Sequence, residues 1–128
     1  MVLKEITIAS AHNLRVISIE SQCVMGGSLA IPQKLMDTLG VIQSQQVVVK
    51  NVTRGGMELT YLIPSKDDYT VETHGSMVRF APIGDLICFF ARGLWDGTGQ
   101  VAHLKFYNNS QTYSNVISEG FIRKEIIV

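Results

Sequence analysis

The chain lacks an excess of charge of either sign and any long apolar run. Its 11 basic and 11 acidic residues give a formal net charge of zero, so no basic face points to nucleic acid. No apolar run approaches the length that crosses a bilayer, and the start "MVLKEITIASAHNLRV" has no block typical of a signal peptide. We therefore expect a cytoplasmic protein that binds neither nucleic acid nor a membrane.

The chain also has few residues that could build a metal site. Its two cysteines, Cys23 and Cys88, have no metal-type spacing, and we expect buried thiols rather than a disulfide. Three histidines without a carboxylate at ligand spacing give no support for zinc, so no metal is expected. A length of 128 residues predicts a single domain, 1–128, that can bury a core.

Short β-type segments fill most of the chain. Alternating or β-rich patterns occur in KEITIASA, LRVISIES, QQVVVKNV, MELTYLI, YTVET, DLICFFA, VAHLKFY and KEIIV. The pair His12–Asn13 separates the first two segments, and residues 53–56, with two glycines, read as a hairpin connection. Many short strands with little helix predict a mainly β fold, either a small closed barrel or a sandwich.

One segment, "IPQKLMDTLG", has helical rather than β periodicity. Leu35, Met36 and Leu39 lie at helical spacing, with Pro32 near the first turn and Gly40 as a stop. A second short helix is predicted near "PIGD". The helix follows Gly27-Ser28, a pair whose simplest interpretation is a flexible turn.

Several blocks occur together in an order that carries more information than any one of them. They are "GGSLAIPQKLMDTLGV", "VVVKNVTRGGMELTYLI", "HGS" and "PIGD". In this order and spacing the sequence, over roughly Leu14 to Ala91, resembles the aspartate 1-decarboxylase family, small pyruvoyl-dependent enzymes of β-alanine and pantothenate biosynthesis. The resemblance implies a double-psi β-barrel with one or two short helices, assembled as a homotetramer with active sites between subunits.

The resemblance also implies self-cleavage between Gly27 and Ser28, giving chains 1–27 and 28–128. Ser28 would become a covalently bound pyruvoyl group, the only cofactor, which forms a Schiff base with the amine of a small amino-acid substrate. Thr60 would stabilise the oxyanion formed during cleavage, together with backbone amides near Ser76 and Met77. Tyr61 would protonate the product carbanion. The simpler alternatives are a plain loop serine and a half-buried strand tyrosine.

Departures from the family pattern concern the substrate more than the chemistry. Met57 stands where the family has Arg, His12 where it has Lys, and Lys50 where it has Trp. Met25 replaces a tyrosine and His74 an asparagine. The substrate-binding residues expected from the resemblance are Met57, His12, Lys50, His74, Gly75, Ser76 and Met77.

These departures leave three hypotheses open. In the first, Lys50, Arg54, Arg79 or protonated His12 replaces the lost cations and the substrate stays aspartate. In the second, the same chemistry acts on a different small amino acid, because a carboxylate facing Met57 would be poorly stabilised. In the third, the chain is an uncleaved, non-catalytic binding barrel. Cleavage that depends on a maturation factor is a further possibility.

Overall fold

The fold is built from strands, with two short helices between them. In this computed structural model residues 2–22 and 26–95 are described, together with the backbone of 102–106, 116–119 and 125–126. The elements in these residues are β1 (Lys4–Arg15), β2 (Ser18–Glu20), β3 (Gly27–Ile31), α1 (Gln33–Leu39), β4 (Gln46–Asn51), β5 (Met57–Pro64), β6 (Glu72–Gly75), α2 (Met77–Phe80), β7 (Leu86–Trp95), β8 (Ala102–Phe106), β9 (Val116–Glu119) and β10 (Glu125–Ile126).

The strands pair in the order β10-β9-β8-β1-β7-β4-β5-β3-β6-β2. The predicted mainly β class with short helices is confirmed. Within the described residues no pairing joins β10 to β2, so this order is open, and closure into a double-psi barrel stays an expectation from the resemblance. Among the same residues, no helix is both long and apolar enough to span a membrane.

The helix α1 and the hairpin after β4 agree with the sequence. Leu35, Met36 and Leu39 are buried, and Gly40 ends the helix in the left-handed conformation at φ 73°. The hairpin closes through Gly55 and Gly56, whose φ angles of 85° and 92° are accessible to glycine at little steric cost. In both segments, local residue chemistry is sufficient to fix the backbone.

One local prediction is wrong. β1 continues through His12–Asn13, where a connection was expected, because Asn13 takes a φ of 63° and a register shift between Ala11 and Leu14 forms a bulge. The second short helix expected near "PIGD" is confirmed, since α2 covers Met77–Phe80 just before that segment. Cys88 is a buried free thiol as expected, and Cys23 lies outside the described residues.

The core fixes the position of β3 between β5 and β6. Leu29 pairs with Leu62 on β5 and with Thr73 on β6, and all three residues are fully buried. Burying each leucine side chain contributes roughly 1.5–3 kcal/mol. Since Gly27 and Ser28 immediately precede Leu29, the same packing holds this peptide in place.

Candidate active site

The Gly27–Ser28 peptide begins a strand rather than lying in a flexible turn. Ser28 is fully buried and pairs with His74 on the antiparallel neighbour β6. Gly27 pairs with Gly75 and lies so close to α2 that an added Cβ would stand 2.6 Å from the Ser76 Oγ. The close approach explains the glycine at position 27 physically, because a larger side chain would require Ser76 to move.

Thr60 lies on β5, on the other side of this peptide. Its Oγ1 donates a hydrogen bond of 3.1 Å to the Gly27 carbonyl oxygen. The backbone N–H of Ser76, expected to be another donor to an oxyanion, instead donates to the Gly26 carbonyl at 2.8 Å. Thr60 is therefore a side-chain donor to the carbonyl of the Gly27–Ser28 bond, and its role in cleavage stays a prediction.

A cleft of about 530 Å³ opens beside this peptide. Its lining residues are Gly26, Gly27, Ser44, Gln46, Glu58, Leu59, Thr60, Tyr61, Ser76 and Met77. Gly27, Thr60, half-buried Tyr61, Ser76 and Met77 were predicted site residues, and the structure brings them together here. The predicted site residues did not include Gly26, Ser44, Gln46, Glu58 and Leu59.

Glu58 is the only acidic or basic side chain among the described residues that line the cleft. It is two residues from Thr60 on the same strand, so both side chains project to one face of β5. The alternation of side chains along the strand that contains Thr60 was the signal that could have identified Glu58 as a neighbour of the site. An exposed carboxylate at this position gives the cleft a negative charge.

Three of the predicted substrate-binding residues are not part of this lining, and two of them lie around Phe90 of β7. The Lys50 Nζ is 5.1 Å from the centre of the Phe90 ring, and His12 meets the same ring edge-on at 5.3 Å. Met57 pairs with Lys50 and is 64% exposed. Their role in substrate binding stays a prediction.

The remaining candidate cations are also placed outside the described cleft lining. Arg54 Nε lies 2.6 Å from Asp85 Oδ2, and this carboxylate also accepts a 2.8 Å hydrogen bond from Asn51 Nδ2. The hydrogen bond from Arg54 lowers the pKa of the Asp85 carboxyl, although burial opposes the shift. Arg54 thus closes the Asn-Val-Thr turn, while Arg79 is exposed in the last turn of α2.

His74 belongs to a hydrogen-bonded group on the opposite side of Ser28 from Thr60. Its Nε2 is 2.5 Å from Glu72 Oε1, and the second Glu72 oxygen accepts a short hydrogen bond from Ser18. Burial raises the pKa of Glu72, but the hydrogen bonds from Ser18 and His74 outweigh it, and the pKa lies below its usual value. Glu72 is therefore a carboxylate at neutral pH.

A model of the aspartate decarboxylase family matches residues 3–105 of the chain. The chain belongs to the aspartate decarboxylase family. It is 32% identical over 84 residues to the aspartate 1-decarboxylase of Methylococcus capsulatus, covering 65% of each chain. It is 34% identical over 84 residues to that of Salinibacter ruber, covering 65% of this chain and 56% of the relative.

Other members of the aspartate decarboxylase family match over a shorter segment. The aspartate 1-decarboxylase of Campylobacter jejuni is 33% identical over 61 residues, 48% of each chain. The chain thus spans about half the length of this relative. The family match to residues 3–105 includes all of the predicted site residues, from His12 to Met77.

Proposed function

We propose that this chain is a pyruvoyl-dependent amino-acid α-decarboxylase, a carboxy-lyase that matures by cleaving itself between Gly27 and Ser28. The observation that carries the proposal is the 3.1 Å hydrogen bond from Thr60 Oγ1 to the Gly27 carbonyl. A donor already aimed at this oxygen can stabilise the negative charge that develops when the Ser28 hydroxyl attacks the adjacent carbon. A non-catalytic binding barrel would need neither this donor nor the serine beside it.

The residues around the peptide fit a pyruvoyl group made from Ser28. The neighbouring Leu29 is fixed by pairing on both sides, so the new N-terminus would stay at the start of β3. When present, the group supplies a ketone that bonds to a substrate amine and takes up the electron pair released with carbon dioxide. Tyr61, half-buried in the same cleft, would donate the proton that replaces the lost carboxylate.

The default substrate from the family is L-aspartate, converted to β-alanine and carbon dioxide. A second candidate, a small amino acid without an acidic side chain, is favoured by Glu58. This carboxylate would repel the side-chain carboxylate of aspartate, and no cation lies among the described residues of the cleft lining. Aspartate would therefore need a cation from outside the described lining.

We further propose that the chain forms a homotetramer, in the cytoplasm, without nucleic acid or membrane as a partner. Support comes from an apolar face on β5 and β7, where Met57, Leu59 and Leu94 are 64%, 65% and 68% exposed. A second hollow of about 550 Å³ lies on this face and shares Gln46 and Leu59 with the cleft. A second copy of the chain covering this face could supply the cation that aspartate requires.

The test is the intact mass of the purified chain before and after warm incubation. We expect chains 1–27 and 28–128, with the larger one ammonia lighter than a chain that begins with serine. Ser28→Ala should remain uncut, whereas Ser21→Ala, at an exposed serine in the same part of the chain, should be cut normally. A wild-type mass that stays at full length, even with cell extract added as a source of a maturation factor, would overturn the proposal.

If cleavage occurs, carbon dioxide release from aspartate and from neutral amino acids of similar size would separate the two substrate candidates. Release from aspartate alone would support the default substrate. Release from the neutral amino acids alone would support the second candidate. Size-exclusion chromatography coupled to light scattering would test the tetramer.

A further inference from the structure

His74 stands directly beside the nucleophile of the proposed self-cleavage. Ser28 and His74 are opposite each other in the antiparallel pair of β3 and β6. Opposite residues in such a pair project to the same face, with Cβ atoms about 4.5–5.5 Å apart. A serine oxygen and the ring nitrogen nearer the main chain can meet across this distance. Ser28 is fully buried and the His74 side chain is only 18% exposed, so both side chains are largely shielded from water.

Glu72 determines which ring nitrogen of His74 can act as a base. The Glu72 carboxylate lies 2.5 Å from Nε2, and its other oxygen is held by Ser18. A carboxylate accepts hydrogen bonds, so the imidazole proton is held on Nε2 and the lone pair is left on Nδ1. Since Nδ1 is the nitrogen nearer the main chain, the basic atom is on the side of the ring that Ser28 can reach.

We propose that His74, positioned by Glu72, is the general base that starts self-cleavage at Ser28. Nδ1 takes the proton from the Ser28 Oγ as this oxygen bonds to the Gly27 carbonyl carbon. The bond from this carbon to the Ser28 nitrogen then breaks, and His74 returns the proton to that nitrogen. An ester replaces the amide with no other reactant. The inference rests on the proposed function, and Glu72 acts in it as a positioning residue.

Cleavage rates of histidine variants, followed by intact mass, test this role. His74→Gln can keep a donor near Glu72 but has no basic nitrogen, and we expect cleavage slower by on the order of 100-fold or more. His74→Ala should be similarly slow and should recover when imidazole is added, since the small base can enter the space left by the ring. A urea unfolding curve for each variant establishes that the slow chains are folded.

The positioning role of Glu72 has its own test. Glu72→Gln should slow cleavage, and in the His74→Ala background it should remove the recovery by imidazole. The control is Asp37→Asn, which removes the same charge from an exposed carboxylate on α1 that bonds to Gln33, and it should cleave at the wild-type rate.

Three outcomes would overturn the inference. His74→Gln cleaving at the wild-type rate would exclude a general base at this position. A folded, slow His74→Ala chain without recovery by imidazole would assign His74 a purely structural role. In both cases wild-type cleavage would leave the proposed function intact, whereas a wild-type chain that never cleaves would overturn both.

Discussion

Replacing Thr60 by valine isolates the contribution of one hydroxyl to the proposed cleavage. Valine has nearly the same shape, so the variant removes the 3.1 Å hydrogen bond to the Gly27 carbonyl and leaves the packing of a residue that is 8% exposed. In the folded chain this neutral hydrogen bond contributes only about 0.5–1.5 kcal/mol, although the unpaired carbonyl can raise the cost of its loss to about 3 kcal/mol. We therefore expect Thr60→Val to fold.

The effect on the rate should be larger, because the carbonyl oxygen becomes negatively charged in the transition state. Loss of one oxyanion donor typically slows a reaction by about 10²–10³-fold, or about 2.7–4 kcal/mol. The assay is the fraction of cut chain against time, measured by intact mass. Thr60→Ser is the control, since it keeps the hydroxyl and should retain most of the rate.

Stability and rate can be separated by measuring them in different backgrounds. Urea unfolding of Thr60→Val combined with Ser28→Ala gives the change in stability without any cleavage. A Thr60→Val chain that cuts as fast as wild type would refute the assignment of Thr60 as the oxyanion donor. An equal slowing in Thr60→Ser would also refute it, because the hydroxyl is then not the group that matters.

Three further predictions concern packing, pH and substrate. Gly27→Ala should destabilise the fold by no more than about 1 kcal/mol in urea unfolding, because the Ser76 hydroxyl 2.6 Å from the new Cβ can rotate away. A loss of about 3 kcal/mol or more would show that Ser76 cannot move, and Ser76→Gly should then restore part of it. The pKa of Asp85 is lowered on folding, chiefly by the hydrogen bond from Arg54, so its contribution to stability is present above about pH 4 and is lost as the pH falls through the folded value. Asp85→Asn should therefore make the urea midpoint decrease less steeply below about pH 4. An unchanged pH dependence of the midpoint in this range would contradict this. Glu58→Gln should lower KM for aspartate by roughly tenfold and leave neutral amino acids unaffected; an unchanged aspartate KM would show that Glu58 does not face the substrate carboxylate.

The local parts of the fold could be predicted because local chemistry specifies them. Apolar spacing and Gly40 define α1, and the two glycines at 55 and 56 define the hairpin. The bulge at Asn13 could not be predicted in the same way. A positive φ there is stabilised by the register of β1 against β7, and this register depends on residues more than 70 positions later in the chain.

For the site, the sequence could predict only those residues that match the motifs of the resembled family. Thr60 meets Gly27 because β3 and β5 pair in parallel, a non-local arrangement that no alternating pattern encodes. Arg54 was a candidate for binding the substrate carboxylate. In the structure it instead bonds to Asp85, which is 31 residues away in the sequence. Sequence spacing shows which charges exist, and only the fold shows which of them are already paired.

The Gly27–Ser28 peptide lies between two strands, β5 and β6, that carry the groups proposed for cleavage. These groups differ from the residues proposed to determine substrate preference. The carbonyl of Gly27 contacts Thr60 on β5, while Ser28 faces His74 on β6, so the expected cleavage groups lie on both flanks of β3. Met57 and Glu58 lie further back along β5, beyond the carbonyl contact. Thr60 bonds to Gly27 and His74 bonds to Glu72, rather than to Met57 or Glu58, so substrate preference could change at positions 57 and 58 without loss of cleavage. The Thr60 and Glu58 variants test this separation directly, since the first should change the cleavage rate and the second only the response to aspartate.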